Sequence, residues 1–244
     1  MAANPDTHMV TATFRFYEEL NDFLAPARRR REFTVPCARA ATTKHMIEAL
    51  GVPHTEVGAV RVNGEPATLQ RVVRDGDCIE VEATKSGSGP DLRFVADAHL
   101  GGLARFLRML GFDTLHRNAY SDEEIRLLAE TEGRVVLTRD RELLKCREIA
   151  RGAYVHALKP EAQLREVAER YGLEAHARPF TLCLACNLPL QPLDRDAVAA
   201  RVPAAVLELH DSFVGCPGCN GVFWPGSHYG RMLSVLRSSF DAPR

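Results

Sequence analysis

Two C-x-x-C pairs, Cys183-Leu-Ala-Cys186 and Cys216-Pro-Gly-Cys219, stand 29 residues apart near the end of the chain. They constrain the fold more than any other feature. Two such knuckles supply four thiolates, the number that closes a tetrahedral zinc site. The gap between them leaves room for a small helix or hairpin. A closed four-cysteine set has no open coordination position, so the expected metal role is structural. A dithiol redox role is the rival for each pair taken alone. The turn-forming neighbours Asn187, Pro217, Gly218 and Asn220 favour zinc.

Cys37, Cys78 and Cys146 are isolated and read as plain core or surface thiols. A disulfide framework is not expected. The opening "MAANPDTHMVTATF" lacks a basic stretch followed by an apolar one, so no secretory signal is read. No apolar run approaches the ~20 residues of a membrane helix. The expected location is cytoplasmic, without a membrane partner. A formal net charge of −1 excludes a global basic field of the kind that announces nucleic acid. With 244 residues, 45% hydrophobic and 26% charged, the chain has the balance of one large or two modest soluble domains.

Residues 91–178 alternate strand and helix. "LRFVA" is a strand, followed by a helix over 99–110 with Leu100, Leu103, Phe106, Leu107 and Leu110 inward and Arg105 and Arg108 on its outer face, where both are candidate RNA contacts. "FDTLH" is a second strand. "SDEEIRLLAETEG" is a helix with Ile125, Leu128 and Ala129 inward, and "RVVLT" a continuously apolar third strand. "RELLKCREIA" reads as a helix, "AYVHAL" as a strand, and "PEAQLREVAERYG" as a helix opened by Pro160. Apolar strands alternating with helices predict a parallel sheet covered on both faces. Residues 179–244 are a separate cysteine-bearing region, with a closing helix expected over 231–240.

The front, residues 1–83, reads differently. "VTATFRFY" alternates as a half-buried strand and "REFTV" pairs with it. "TTKHMIEALGVP" is a short helix with Met46, Ile47 and Leu50 on one face, and Asn63-Gly64 marks a hairpin. "DGDCIEVEA" is a last strand. This order resembles the ubiquitin-like β-grasp fold, closest to the ThiS/MoaD sulfur-carrier type. Such carriers react through a free terminal Gly-Gly. Here the corresponding end runs into the Ser/Gly linker "TKSGSGP" (84–90), so a docking or stabilising module with a possible protein partner is expected instead.

Three carboxylates carry the candidate chemistry. Asp97 follows the first strand of the α/β region, Asp140 follows the third, and Asp122 opens the helix between. Ligands bind beyond the carboxyl ends of parallel strands. Acids gathered there repel one another unless a divalent cation such as Mg²⁺ or Mn²⁺ neutralises them. Each acid also suits a helix start: Asp97 and Asp140 as N-caps, Asp122 and Glu123 beside a Ser121/Glu124 capping box. Glu123 is a candidate fourth acid. Asp113, at the start of its strand, is less suited. "FWPGSHYGRM", after the second knuckle, offers Phe223 and Trp224 for packing and His228 and Arg231 for RNA contact.

"DAHLGGLARFLRMLGFDT", "SDEEI", "VVLTRDREL", "CLACN" and "CPGCNGVFWPGSH" together resemble the Mut-seven C-terminal RNase domain family, over about residues 92–237. That family is similar to PIN-domain nucleases and ends in a zinc ribbon. The resemblance implies an α/β PIN-like fold, RNA as substrate, and Mg²⁺ or Mn²⁺ held by acids. It assigns Asp97 to the first-strand acid, Asp122 to the helix acid and Asp140 to the acid of the T-x-D motif. Thr138 matches the motif's threonine, expected to support Asp140. A fourth acid has no clean match. The expectation is a divalent-metal-dependent ribonuclease with a structural zinc ribbon and a β-grasp front. The rival from another class is a catalytically silent adaptor that binds RNA or protein. A metal-dependent phosphatase or DNA nuclease is a third option, since the same acids serve any phosphoester.

Overall fold

The computed structural model describes residues 9–85, 87, 89, 91–226, 230 and 234. The chain divides into two compact units, one of Met1–Lys85 with Asp140–Tyr154 and one of Ser86–Arg139 with Val155–Arg244.

The first unit is an N-terminal ubiquitin-like fold. It contains β1 (Val10–Phe16), β2 (Phe33–Cys37), α1 (Thr43–Ala49), β3 (Val57–Val62), β4 (Glu65–Ala67) and β5 (Asp77–Ala83). The sheet order is β2-β1-β5-β3-β4, with β1 and β5 parallel at the centre and antiparallel pairs outside. The period-two alternation of β1 buries Ala12, Phe14 and Phe16 against Leu20, Ile47, Ile79 and Val81. Burying one such large side chain fully is worth about 1.5–3 kcal/mol. The β3–β4 turn is Asn63-Gly64, both at positive φ (56° and 84°), the backbone a tight two-residue hairpin demands. Thr42 caps α1 by accepting from the His45 N–H. Asp77, 3% exposed, opens β5 and binds the Arg71 guanidinium at 2.6 Å and the Asn63 amide at 2.9 Å.

The second unit carries β6 (Phe94–Ala96), α2 (Gly101–Met109), β7 (Thr114–Leu115), α3 (Asp122–Glu132) and β8 (Val135–Thr138). β6 lies between β7 and β8, parallel to both, and all four residues of β8 are buried. Both faces of β8 are therefore covered, as its unbroken apolar run requires. The Ser121/Glu124 capping box forms at the start of α3, and Gly133 ends that helix in the left-handed conformation.

The segment Asp140–Tyr154 corrects the sequence reading. "RELLKCREIA" is not a helix: only a 3₁₀ turn forms, at Leu143–Lys145. Tertiary contacts within the first unit override its helical pattern. His54 Nε2 meets the Ile149 carbonyl oxygen at 3.0 Å, and the buried Glu56 carboxylate accepts from the Tyr154 N–H at 2.7 Å. Arg141 lies over the rings of Phe23 (5.0 Å) and Tyr154 (5.4 Å) and donates to the Phe23 carbonyl at 3.2 Å. Leu143, Leu144 and Ile149 are buried. The short strand β9 (Gly152–Tyr154) closes the segment.

The second unit resumes at Val155, whose N–H donates to the Thr138 carbonyl. α4 (Pro160–Tyr171) follows, with Pro160 in its first turn and Gly172 left-handed at its end. The cysteine region holds β10 (Gln191–Leu193), α5 (Arg195–Val198), α6 (Ala204–Leu209), β11 (Phe213–Gly215) and β12 (Val222–Phe223). The three strands form one antiparallel sheet in the order β10-β11-β12. Val198, Val202 and Phe213 form its small core, with Val222 and Trp224 packed against them. Of the helix expected over 231–240, only Ser234 is among the described residues. Among the described residues, no helix is long and apolar enough to cross a membrane.

Candidate functional site

Cys183, Cys186, Cys216 and Cys219 bring their four sulfur atoms within 4.8 Å of one another. The two knuckles have the same build. Each reads C-x-x-C-N, and in each the asparagine is left-handed, Asn187 at φ 62° and Asn220 at φ 55°. Asparagine tolerates that conformation better than other residues with a Cβ. The N–H of Asn187 then reaches the Cys183 carbonyl at 2.9 Å, and that of Asn220 reaches the Cys216 carbonyl at 2.9 Å. The knuckles approach closely because Gly218 has no Cβ; one built there would sit 2.7 Å from Leu188 Cδ1.

The donor set suits a tetrahedral thiophilic cation. The Cys183 and Cys219 sulfurs are 3.8 Å apart. That matches the edge of a tetrahedron with metal–sulfur bonds of about 2.3 Å. The thiols do not titrate independently. The hydrogen bond that the Cys186 S–H gives to Cys219 pushes Cys186 up to about 12. Burial pushes Cys216 up, but the N–H groups of Cys219 and Gly218 outweigh it and draw Cys216 down to about 7. A bound cation removes this conflict by favouring the thiolate at all four positions.

The ribbon is anchored on the α/β body of its own unit by residues that the sequence did not reveal. Arg108, expected on the outer face of α2 as an RNA contact, is instead 6% exposed and turned into the fold. Its Nε donates to the Thr114 carbonyl at 2.9 Å, and its Nη1 to those of Leu184 and Ala185 at 2.9 and 3.0 Å. The α2 face carrying Ala104 and Leu107 carries Arg108 as well, so the residue turns inward with them. Asn187 adds a second tie, accepting from the Thr114 N–H at 2.9 Å and donating to Asp113 at 2.5 Å. Asp113 also receives Arg134 in a two-pronged ion pair at 2.8 and 2.9 Å. Burial raises the Asp113 carboxyl, but Arg134 and Asn187 prevail and hold it below its ordinary value.

Asp97 sits at the carboxyl end of β6, half-buried. Its Oδ1 accepts from the Ala98 N–H at 2.6 Å, so it caps the turn that leads into α2. Its Oδ2 accepts from the Thr138 hydroxyl at 2.7 Å. Through this hydroxyl Thr138 supports Asp97. His116, not singled out in the sequence, bonds the Ala98 carbonyl at 3.1 Å just past this turn. The next residues must be small: a Cβ on Gly102 would lie 2.6 Å from Pro160 Cγ at the start of α4.

Asp122 and Glu123 are exposed in the first turn of α3. Asp140 belongs to the other unit, where its Oδ1 accepts from the N–H groups of Glu142 (2.7 Å) and Leu143 (3.4 Å). Arg105 is exposed on α2. His228 and Arg231 lie outside the described residues. Among the described residues, the four cysteines are the one group of three or more His, Cys, Asp or Glu side chains placed to hold a metal.

Comparison with known proteins adds two family matches. Residues 92–236 match the Mut7-C RNAse domain, and residues 9–86 match the Mut7-C ubiquitin domain. The chain is similar to a human protein described as "Exonuclease mut-7 homolog", with 34% identity over 118 residues. That alignment covers 43% of this chain and 13% of the human protein. The chain therefore matches only a small part of that relative.

Proposed function

The chain belongs to the Mut7-C RNAse domain family, and on that premise we propose that it is a divalent-metal-dependent ribonuclease that hydrolyses RNA phosphodiester bonds. Asp97, Asp122 and Asp140 are the proposed ligands of Mg²⁺ or Mn²⁺, with Glu123 beside Asp122 as a further acid. A divalent cation supplies an activated water and neutralises the charge of the displacement. The protein's part is to hold its carboxylates in place and to orient the RNA.

The observation that carries this reading is the setting of Asp97. A carboxylate stands at the carboxyl end of a parallel strand, where ligands of such sheets bind. Two donors, the Ala98 N–H and the Thr138 hydroxyl, fix its two oxygens. Each oxygen keeps a second lone pair for a cation. Thr138 is a positioning residue in this scheme. Arg105, His228 and Arg231 are proposed to contact the RNA.

We propose that the four-cysteine site holds zinc and is structural. The ubiquitin-like unit is proposed to offer a docking surface to a protein partner, and the protein to act in the cytoplasm. One observation favours the adaptor reading: the described residues that gather to hold a metal are the cysteines, not the acids. Purified protein incubated with total cellular RNA in Mg²⁺, Mn²⁺ or EDTA separates the two. Cleavage that EDTA abolishes supports the nuclease. Binding without cleavage under all three conditions supports the adaptor.

A further inference from the structure

Arg108 is a buried cation in an unusual position. Arg134, buried to the same extent, has Asp113 and Glu132 as ion-pair partners. Among the described residues, the hydrogen-bond acceptors of the Arg108 guanidinium are neutral carbonyl oxygens, those of Thr114, Leu184 and Ala185. A buried charge whose hydrogen-bond partners are all neutral is costly. Two of its three acceptors, Leu184 and Ala185, are the residues between Cys183 and Cys186. The ionisable groups acting on it electrostatically include both of those cysteines, together with Asp113. Four thiolates around one divalent cation would carry two net negative charges beside this guanidinium.

We propose that Arg108 is the counter-charge of the metal–thiolate centre and couples metal occupancy to the last turn of α2 and the start of β7. The inference rests on the zinc reading given above. One guanidinium spans the two structures, with Nε on the β7 residue Thr114 and Nη1 on the first knuckle. The Asn187 bridge to Asp113 and Thr114 runs in parallel. A metal ion that gathers the four sulfurs fixes the knuckle carbonyls in which the Arg108 fork sits. Arg108 in turn offsets the charge of the centre. Coupling of this kind is reciprocal: what metal does for the α2–β7 corner, Arg108 does for metal affinity.

The test uses the full-length protein. Elemental analysis first establishes zinc content. Zinc affinity is then measured by competition with a chromophoric chelator for wild type, Arg108→Lys, Arg108→Gln and Arg108→Met. Lysine keeps the charge and loses the fork, whereas glutamine keeps donors and loses the charge. The expected order is wild type, then Lys, then Gln and Met together. The neutral variants should fall by about 10–100-fold, the range for partners in the outer shell of a metal site. A Gln variant that binds zinc as tightly as wild type, or a Lys variant as weak as Gln, overturns the counter-charge role. Should the neutral variants fail to fold, hydrogen exchange on the wild type decides the matter. Chelation of zinc should expose the Thr114 amide and those of residues 106–112, and unchanged protection there overturns the coupling. Freshly purified protein without zinc overturns the zinc reading itself, and the inference with it.

Discussion

The hydroxyl of Thr138, at the end of β8, donates to Oδ2 of Asp97, at the end of β6, across 2.7 Å. Thr138 is fully buried, so its hydroxyl cannot turn to water instead. Thr138→Val keeps the shape and removes the donor. The expected stability loss is about 1 kcal/mol. Metal-dependent cleavage should fall further than that, and Thr138→Ser should restore most of it. Equal cleavage by the Val variant and wild type, measured as initial rates, would show that Thr138 does not position Asp97.

Cys183→Ser should release the metal and loosen the ribbon. Zinc contributes about 10–16 kcal/mol of apparent binding free energy in small zinc-finger peptides. The ribbon core here is small, built on Val198, Val202 and Phe213. Proteolysis should therefore begin within residues 179–226, while the ubiquitin-like unit stays resistant. A Cys183→Ser protein with full zinc content and an uncut ribbon contradicts the assignment.

Glu56, 2% exposed, accepts the Tyr154 N–H at 2.7 Å, a link that fastens Asp140–Tyr154 within the first unit. Glu56→Ala removes that buried acceptor and should cost about 1–3 kcal/mol. The exchange rate of the Tyr154 amide should rise with those of its neighbours. For the same reason, a chain cut to start after Lys85 should not behave as an intact protein. Leu143, Leu144 and Ile149 would lose their cover, and the segment carrying Asp140 would fray. A monomeric, fully protected truncation would show that 140–154 needs no support from the ubiquitin-like unit.

Asp77 gives a pH-dependent signature to the first unit. Its hydrogen bond from Arg71 comes first among the causes that hold its carboxyl below the ordinary range, against the opposing effect of burial. A lowered carboxyl adds stability that is fully present above the unfolded value, about 3.9, and is lost as pH falls through the lower folded value. Asp77→Asn should thus be clearly less stable than wild type at pH 7, by about 1.5–3 kcal/mol for a hydrogen bond to a charged group. The gap should close below pH ~4. Denaturant midpoints at pH 3 and pH 7 measure both ends, and a gap independent of pH refutes the ion pair's contribution.

Sequence reading reached those features whose signal is local. The Asn63-Gly64 turn, the Ser121/Glu124 capping box, the Pro160 helix start and the paired C-x-x-C knuckles each lie within a few residues. The β1 and β8 burial patterns followed from apolar spacing alone. Missed features join distant positions. Arg108 meets carbonyls 76 and 77 residues away, and Thr138 meets Asp97 across 41. Arg141 lies over Phe23, 118 residues back. An arginine next to apolar residues on an amphipathic helix reads as exposed, and only the knuckle carbonyls explain why Arg108 is not. "RELLKCREIA" failed for the same reason, since its partners His54 and Phe23 lie 95 and 118 residues earlier in the chain.

The most direct test of the nuclease reading is RNA cleavage by Asp97→Asn in Mg²⁺ or Mn²⁺, with thermal stability measured on the same sample. Asparagine still accepts the Ala98 N–H and so keeps the cap. It loses the charge that a divalent cation needs. The account predicts near-normal melting with cleavage reduced to the level seen in EDTA. Wild-type cleavage by Asp97→Asn at normal melting temperature would contradict the metal role of Asp97, leaving it only the cap of the turn that leads into α2.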